Sequence, residues 1–264
     1  MGSSLDWVLM LDDLGFDVPT QTPATRVVSL VPSLTEALAA SRPDALVGAT
    51  DWCIKPADLA VARVRGTKNP NISQIIDLQP DLVIANKEEN RELDVSRLRE
   101  AGLNVWVTDI ETLDESFSSM RRLFEIALGW PVPDWLAEAE RIWAEPAPQL
   151  ELRVAVAIWR DPWMVVGRDT FTGDLLGRLG VKNHFDSSEG RYPHVELSNL
   201  DNVGVDLILL PDEPYEFSQT DGPEAFTNTK TVLCSGQALT WYGPALLTSR
   251  AEILAALSPG RTPN

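Results

Sequence analysis

Apolar residues in this chain fall into short continuous runs separated by stretches with helical spacing. "RVVSLV", "ALVGAT", "DLVIAN" and "NVWVTD" recur through the first half, and "RVAVAIW", "PWMVVG", "DLILLP" and "TVLCSG" through the second. Runs without a polar alternate predict strands buried on both faces, as in a parallel sheet covered by helices. Between them, "PSLTEALAA", "NISQIIDLQP" and "LDVSRLREAG" predict helices. Ser33 and Glu36 have capping-box spacing at the start of the first. "LDESFSSMRRLFEIAL" is a longer helix ending at "GWPVP", and "DWLAEAERIWAE" runs to the prolines at 146 and 148. Helices "TFTGDLLGRLG", "LSNLDNV" and "LTSRAEILAAL" complete the second half. Ahead of all this, residues 7–20 predict a hairpin turning at "DDLG".

Strands alternating with helices predict an α/β protein with parallel sheets. The two halves echo each other. "RVVSLV" resembles "RVAVAI", and each opens its half. "DLVIANKEEN" aligns with "DLILLPDEPY" without a gap, placing Glu88 on Glu213 and Asn90 on Tyr215. Two similar lobes joined by a helical segment at about 130–150 account for this pattern.

In open α/β sheets, ligands bind beyond the carboxyl ends of the strands. The segments following the predicted strands are rich in aromatic and acidic residues. Trp52, Trp159, Trp163, Tyr215, Trp241 and Tyr242 stand there, with Asp51, Glu88, Glu89, Asp212 and Glu213. Aromatic walls with a few polar anchors suit a sizeable ring-bearing ligand. The acidic group "KEEN" after "DLVIAN" has a plainer reading too, as the acidic start of a helix. Trp7, Trp106, Trp130, Trp135 and Trp143 lie in predicted strands or on helix faces and read as packing.

The net charge of −17 argues against a nucleic-acid backbone or an anionic membrane as partner. Two cysteines, Cys53 and Cys234, make no disulfide framework in a chain of 264 residues. No G-x-S-x-G elbow, phosphate-binding glycine loop or H-E-x-x-H motif is present. With His184 and His194 as the only histidines, a His-rich metal site is not expected. "MGSSLDWVLMLDDLGFD" lacks the basic and apolar regions of a signal peptide, so the sequence as it stands predicts a cytoplasmic protein. Had a signal been removed, the expected place would be the periplasm or cell surface.

"RVVSLVPSLTEAL", "LVGATDWCIKP", "VRGTKNPNISQIIDLQPDLVIAN" and "LREAGLNVWV" follow in the order seen in class III substrate-binding proteins, and the chain resembles that family from about residue 8 to 257. These helical-backbone receptors carry vitamin B12, haem and ferric siderophores to ABC importers. "GTKNP", "EENRELDV", "PDEPYEF" and "WYGP" resemble a signal-less subgroup of it.

The resemblance implies two Rossmann-like lobes, at 1–131 and 151–264, with one long α-helix at 132–150 as a bridge and the ligand in the cleft. It implies a non-enzymatic receptor for a metal chelate such as a corrinoid, siderophore or haem. Such a receptor is a monomer with no membrane insertion, no metal site and no resident cofactor. By the same resemblance Trp52 and Trp241 would stack on the ligand, and Asn86 stands where B12 binders place another tryptophan. Trp159, Tyr215 and Tyr242 would form walls, and Glu88, Glu89, Glu213 and Asp51 polar anchors. Lys68 would neutralise those carboxylates or meet an anionic ligand group. Glu92 matches the carboxylate that docks onto the importer. Its second-lobe counterpart falls at Ser198, with Glu196 two residues away. The alternatives are a cytoplasmic sensor or carrier of the same fold, or an enzyme using Cys53 or the glutamates.

Overall fold

The apolar runs of the first half form one parallel sheet. The computed structural model describes residues 10–19, 22–146, 148 and 150–258. In chain order its first elements are β1 (Val27–Ser29), α1 (Pro32–Ser41), β2 (Leu46–Ala49), β3 (Ala62–Arg63), β4 (Arg65–Gly66), β5 (Asn69–Pro70), α2 (Ile72–Asp77), β6 (Leu82–Asn86), α3 (Glu92–Glu100) and β7 (Val105–Thr108). The sheet order is β3-β2-β1-β6-β7, with β4 and β5 as a separate antiparallel hairpin. Every residue of β1, β6 and β7 is buried, as expected of strands covered on both faces. Val28, Leu30, Ile75, Val83, Leu98 and Val107 belong to the core beneath it.

α4 (Leu113–Arg122) runs into a wider π-turn segment, Leu123–Leu128, which stops at Gly129 with φ 64°. After α5 (Asp134–Trp143) come β8 (Arg153–Trp159), β9 (Met164–Val165), α6 (Phe171–Arg178), β10 (Lys182–Asn183), α7 (Leu197–Leu200), β11 (Leu207–Pro211), β12 (Thr231–Cys234), α8 (Gly236–Thr240) and α9 (Leu246–Leu257). The second sheet has the order β10-β8-β11-β12, all parallel, with β9 antiparallel on β8. Its core includes Ala155, Val165, Ile208, Leu210 and Phe217.

The internal echo is therefore topological. With the edge strand β3 of the first sheet and the antiparallel β9 set aside, both sheets read second-first-third-fourth in chain order. "RVVSLV" and "RVAVAI" supply the first strand, β1 and β8. "DLVIAN" and "DLILLP" supply the third, β6 and β11. The strand order reverses between first and third strands, which marks a switch point in each sheet.

The chain divides into two compact units, Met1–Ile110 with Glu115–Leu136, and Glu111–Asp114 with Ala137–Asn264. It passes from one to the other inside α5. That helix has ten residues, Asp134–Trp143, a shorter span than the expected 132–150, because Pro133 precedes it and Pro146 and Pro148 follow. The start of α4 groups with the second unit for a local reason. Leu113 N donates to Asp174 Oδ2 at 2.8 Å, and Arg178 pairs with Asp114 at 2.6 Å.

Two further details depart from the sequence reading, and a third agrees with it. Val31, rather than Ser33, occupies the N-cap of α1, without a side-chain cap. Pro32 takes the first turn, where a missing N–H costs nothing. The segment "GQALT", read as loop, forms α8, capped by Ser235 Oγ accepting from Ala238 N at 3.1 Å. The predicted hairpin is represented by the Leu11–Asp17 bridge, its turn held by Asp12 Oδ1 accepting from Leu14 N and Phe16 N at 3.0 and 2.9 Å. The remainder of that hairpin, Trp7 included, lies outside the described residues.

Candidate functional site

In the first unit the switch point lies between β1 and β6, and the segment leaving β6 is "NKEEN". Two asparagines shape it. Buried Asn86 accepts through Oδ1 from Glu88 N at 2.9 Å and Glu89 N at 3.1 Å. Its Nδ2 donates to Thr108 O and Oγ1 at 3.2 and 3.1 Å. Asn90, also buried, accepts from Asn86 N at 2.9 Å and donates to Leu30 O at 3.3 Å and Thr67 O at 3.0 Å. The loop carrying Glu88 and Glu89 is thus tied to the end of β1 and to the β4–β5 hairpin. Asn86 has a scaffold role here, at the position where the family resemblance would have put a ring.

The hairpin contributes the other side. Lys68 Nζ donates to the Glu88 carbonyl oxygen, so its first partner is backbone and not a carboxylate. Its charge still acts on Glu89. Burial raises the Glu89 carboxyl above the usual glutamate range, Lys68 opposes that rise, and the Glu88 charge adds to it. A Cβ at Gly66 would lie 2.5 Å from Asn69 Oδ1 and 3.3 Å from Trp52 Nε1, so the missing side chain lets the Trp52 indole approach the hairpin. Trp52 is 66% exposed, a large indole surface left in water beside Asp51, which is also exposed. The next residue, Cys53, turns inward. Its Sγ lies 3.0 Å from Thr35 Oγ1 and 3.1 Å from Thr50 Oγ1, and burial raises its pKa. Arg63 secures this loop by donating to Thr50 O and Cys53 O at 3.0 and 2.8 Å.

In the second unit the switch point lies between β8 and β11, and an aromatic corner forms there. Trp159, the last residue of β8, meets Tyr215 beyond β11 with ring centroids 5.5 Å apart and planes at 78°. Trp159 is 43% exposed. Tyr215 donates its hydroxyl to Asp221 Oδ2 at 2.7 Å, and that bond raises its pKa. Arg160 pairs with both Asp221 and Glu224. Beneath the corner, Phe217 lies 4.7 Å from Tyr215 and stacks on Trp163 at 5.8 Å. Trp163 is core, 5% exposed. Glu213 is half-buried and lies against the start of α8. A Cβ at Gly236 would fall 2.6 Å from its carbonyl oxygen and 2.8 Å from its nitrogen.

The strand-end candidates thus separate by exposure. Trp52 and Trp159 present open ring surface, whereas Trp241 and Tyr242 are 6% and 7% exposed. Trp241 follows α8 directly, and Tyr242 packs edge-on to Phe171 at 5.5 Å. The segment expected to expose both rings is buried instead: "GQALT" satisfies its backbone locally as α8, and Trp241, the residue that ends the helix, donates its N–H to Gln237 O at 2.9 Å. Glu92 is exposed at the first position of α3. Glu196 is exposed at the N-cap of α7, and Ser198 is exposed two residues on. Each unit therefore presents a carboxylate at a helix start, where the helix dipole favours negative charge. Asn86, Asn90, Gly66, Gly236 and Arg160 were missed as site-shaping residues. Their signal lay in contacts between segments distant in sequence.

No family model matches the chain. It is 25% identical over 250 residues to the vitamin B12-binding protein of Pectobacterium carotovorum, covering 89% of this chain and 90% of the relative. The vitamin B12-binding protein of Vibrio cholerae is 26% identical over 185 residues, 67% of either chain. The fold matches that of the periplasmic haem-binding protein RhuT from Roseiflexus sp. RS-1, with TM-score 0.74 and 19% identity over 89% of this chain and all (100%) of that one. The chain resembles the class III substrate-binding proteins in sequence and in fold. Two α/β units follow one another along the chain. Among the described residues, no helix is long and apolar enough to cross a membrane, and no group of three or more His, Cys, Asp or Glu side chains could hold a metal ion.

Proposed function

We propose that this protein is a receptor that binds a metal chelate of the corrinoid, haem or siderophore type and delivers it to an ABC importer. The observation that carries the reading is the open ring surface of Trp52 and Trp159 beside carboxylates at strand ends next to the switch points. Indole faces bind large ring-bearing ligands through apolar area and stacking, and the neighbouring polar groups orient them. Relatives named for vitamin B12 and haem binding support the ligand class. Binding without turnover is supported by the thiols. Burial raises Cys53, and burial together with the Asp212 charge pushes Cys234 up to about 12, so both are protonated and weakly nucleophilic. Glu92 and Glu196 are the carboxylates offered to the importer.

The test is a titration of the purified protein with cyanocobalamin, haemin and ferric siderophores, followed by visible absorption and tryptophan emission. At least one should give a saturable change that weakens in Trp52→Ala and Trp159→Ala. If none of the three classes binds, the receptor reading fails. Glu92→Ala with Glu196→Ala should abolish importer stimulation while leaving ligand affinity unchanged.

A further inference from the structure

The charge around the aromatic corner of the second unit is one-sided. The segments that build it, residues 159–161 and 212–224, contain Asp161, Asp212, Glu213, Glu216, Asp221 and Glu224 against a single cation, Arg160. That cation is already engaged. Its Nη1 meets Asp221 and Glu224, its Nε lies 3.6 Å from Asp161, and its guanidinium sits 5.7 Å from the Trp163 ring centroid. No positive charge in these segments remains for an anionic ligand group. In the first unit the charge of Lys68 acts against that of Glu89.

The rings point the same way. Trp159 and Tyr215 stand edge to face, nearly at right angles, and Trp159 keeps 43% of its surface in water. The Tyr215 hydroxyl donates to a carboxylate, which enriches its ring in electron density. A cation placed against such rings is attracted by the ring quadrupoles and by the surrounding carboxylates together, and tryptophan is the strongest partner of this kind. The field of a chain with net charge −17 draws cations and repels polyanions over longer range.

We infer that the ligand presents a positively charged group, of the alkylammonium kind, to the Trp159–Tyr215 corner. The chelate is cationic, and polyanionic chelates are excluded. This inference rests on the receptor reading and narrows it.

The test uses chelates matched in size but not in charge: ferrioxamine B, whose free ammonium makes it a cation, its neutral N-acetyl derivative, and anionic haemin. Affinity of the intact protein should fall by about tenfold from cation to neutral form, and further for haemin. Trp159→Phe and Asp161→Asn should each reduce the cation's advantage over its acetylated form, with the thermal midpoint unchanged. Added salt should weaken the cation selectively. Equal affinity for the ammonium and acetyl forms, or tighter binding of haemin, overturns the charge inference and leaves the receptor reading standing. Failure of all three, with cyanocobalamin binding, overturns the charge inference alone; failure of cyanocobalamin as well overturns both.

Discussion

Asn86 and Asn90 face each other across the loop that carries Glu88 and Glu89. The backbone N–H of Asn86 donates to Asn90 Oδ1 at 2.9 Å, and Asn86 Oδ1 receives both glutamate N–H groups. The dense charge after a fully buried strand is therefore held in place by two neutral amides. They satisfy the backbone where the β-ladder stops. Asn90→Ala would leave Asn86 N without its acceptor and Leu30 O and Thr67 O without their donor. We expect a loss of about 2 kcal/mol in denaturant unfolding, and no rescue by Asn90→Asp, which keeps the acceptor but sets a buried carboxylate oxygen against the Leu30 and Thr67 carbonyls.

Glu89 gives a pH signature opposite to that of most carboxylates. Its folded pKa is raised, so the protonated form favours the folded state. Its contribution is most favourable below the unfolded value of 4.5 and is lost as pH rises through the folded pKa. Glu89→Gln should therefore be more stable than the parent at neutral pH, the difference closing below pH 4.5. Lys68→Ala should enlarge that difference. Chemical denaturation across pH measures both.

Asp201 behaves in the conventional sense. Its carboxylate accepts from Thr227 N, Asn228 N and Thr229 N at 2.9–3.2 Å, and these bonds lower its pKa from 3.8 to about 2 despite burial. The stabilisation is complete above pH 3.8 and lost as pH falls through about 2. Asp201→Asn should remove about 2 kcal/mol at neutral pH and flatten this part of the acid limb.

The tryptophans separate stability from binding. Trp52 is 66% exposed, so Trp52→Ala should shift unfolding by less than about 0.5 kcal/mol while reducing chelate affinity. Trp241, 6% exposed, should cost about 3–5 kcal/mol when truncated. Ligand affinity of Trp241→Ala is interpretable alongside its thermal midpoint.

Gly236→Ala tests the packing of Glu213. A Cβ would come within 2.6 Å of the Glu213 carbonyl oxygen and 2.8 Å of its nitrogen, both backbone atoms that cannot rotate aside. We expect destabilisation of about 1–3 kcal/mol and a displaced strand end, read by denaturation and by weaker chelate binding.

The alternation of apolar runs with helical spacing was enough to establish parallel sheets covered by helices. The ungapped match of "DLVIAN" with "DLILLP" anticipated their equivalent places in two sheets of the same order. Both follow from local physics, since a strand buried on both faces needs a continuous apolar run and each half repeats the same unit. Which rings face water was not legible in this way. Trp52 and Trp241 look alike in sequence, each in a polar-flanked segment after a strand. Trp52 is left open because Cys53 beside it turns inward and Gly66 admits its indole edge, whereas α8 carries Trp241 into the interior. The Asn86–Asn90 clamp, the Arg160–Asp221–Tyr215 chain and the fit of Glu213 against Gly236 likewise join segments separated by a loop or more. Long-range hydrogen bonding and close packing decide such contacts, and only the tertiary structure brings those partners within reach.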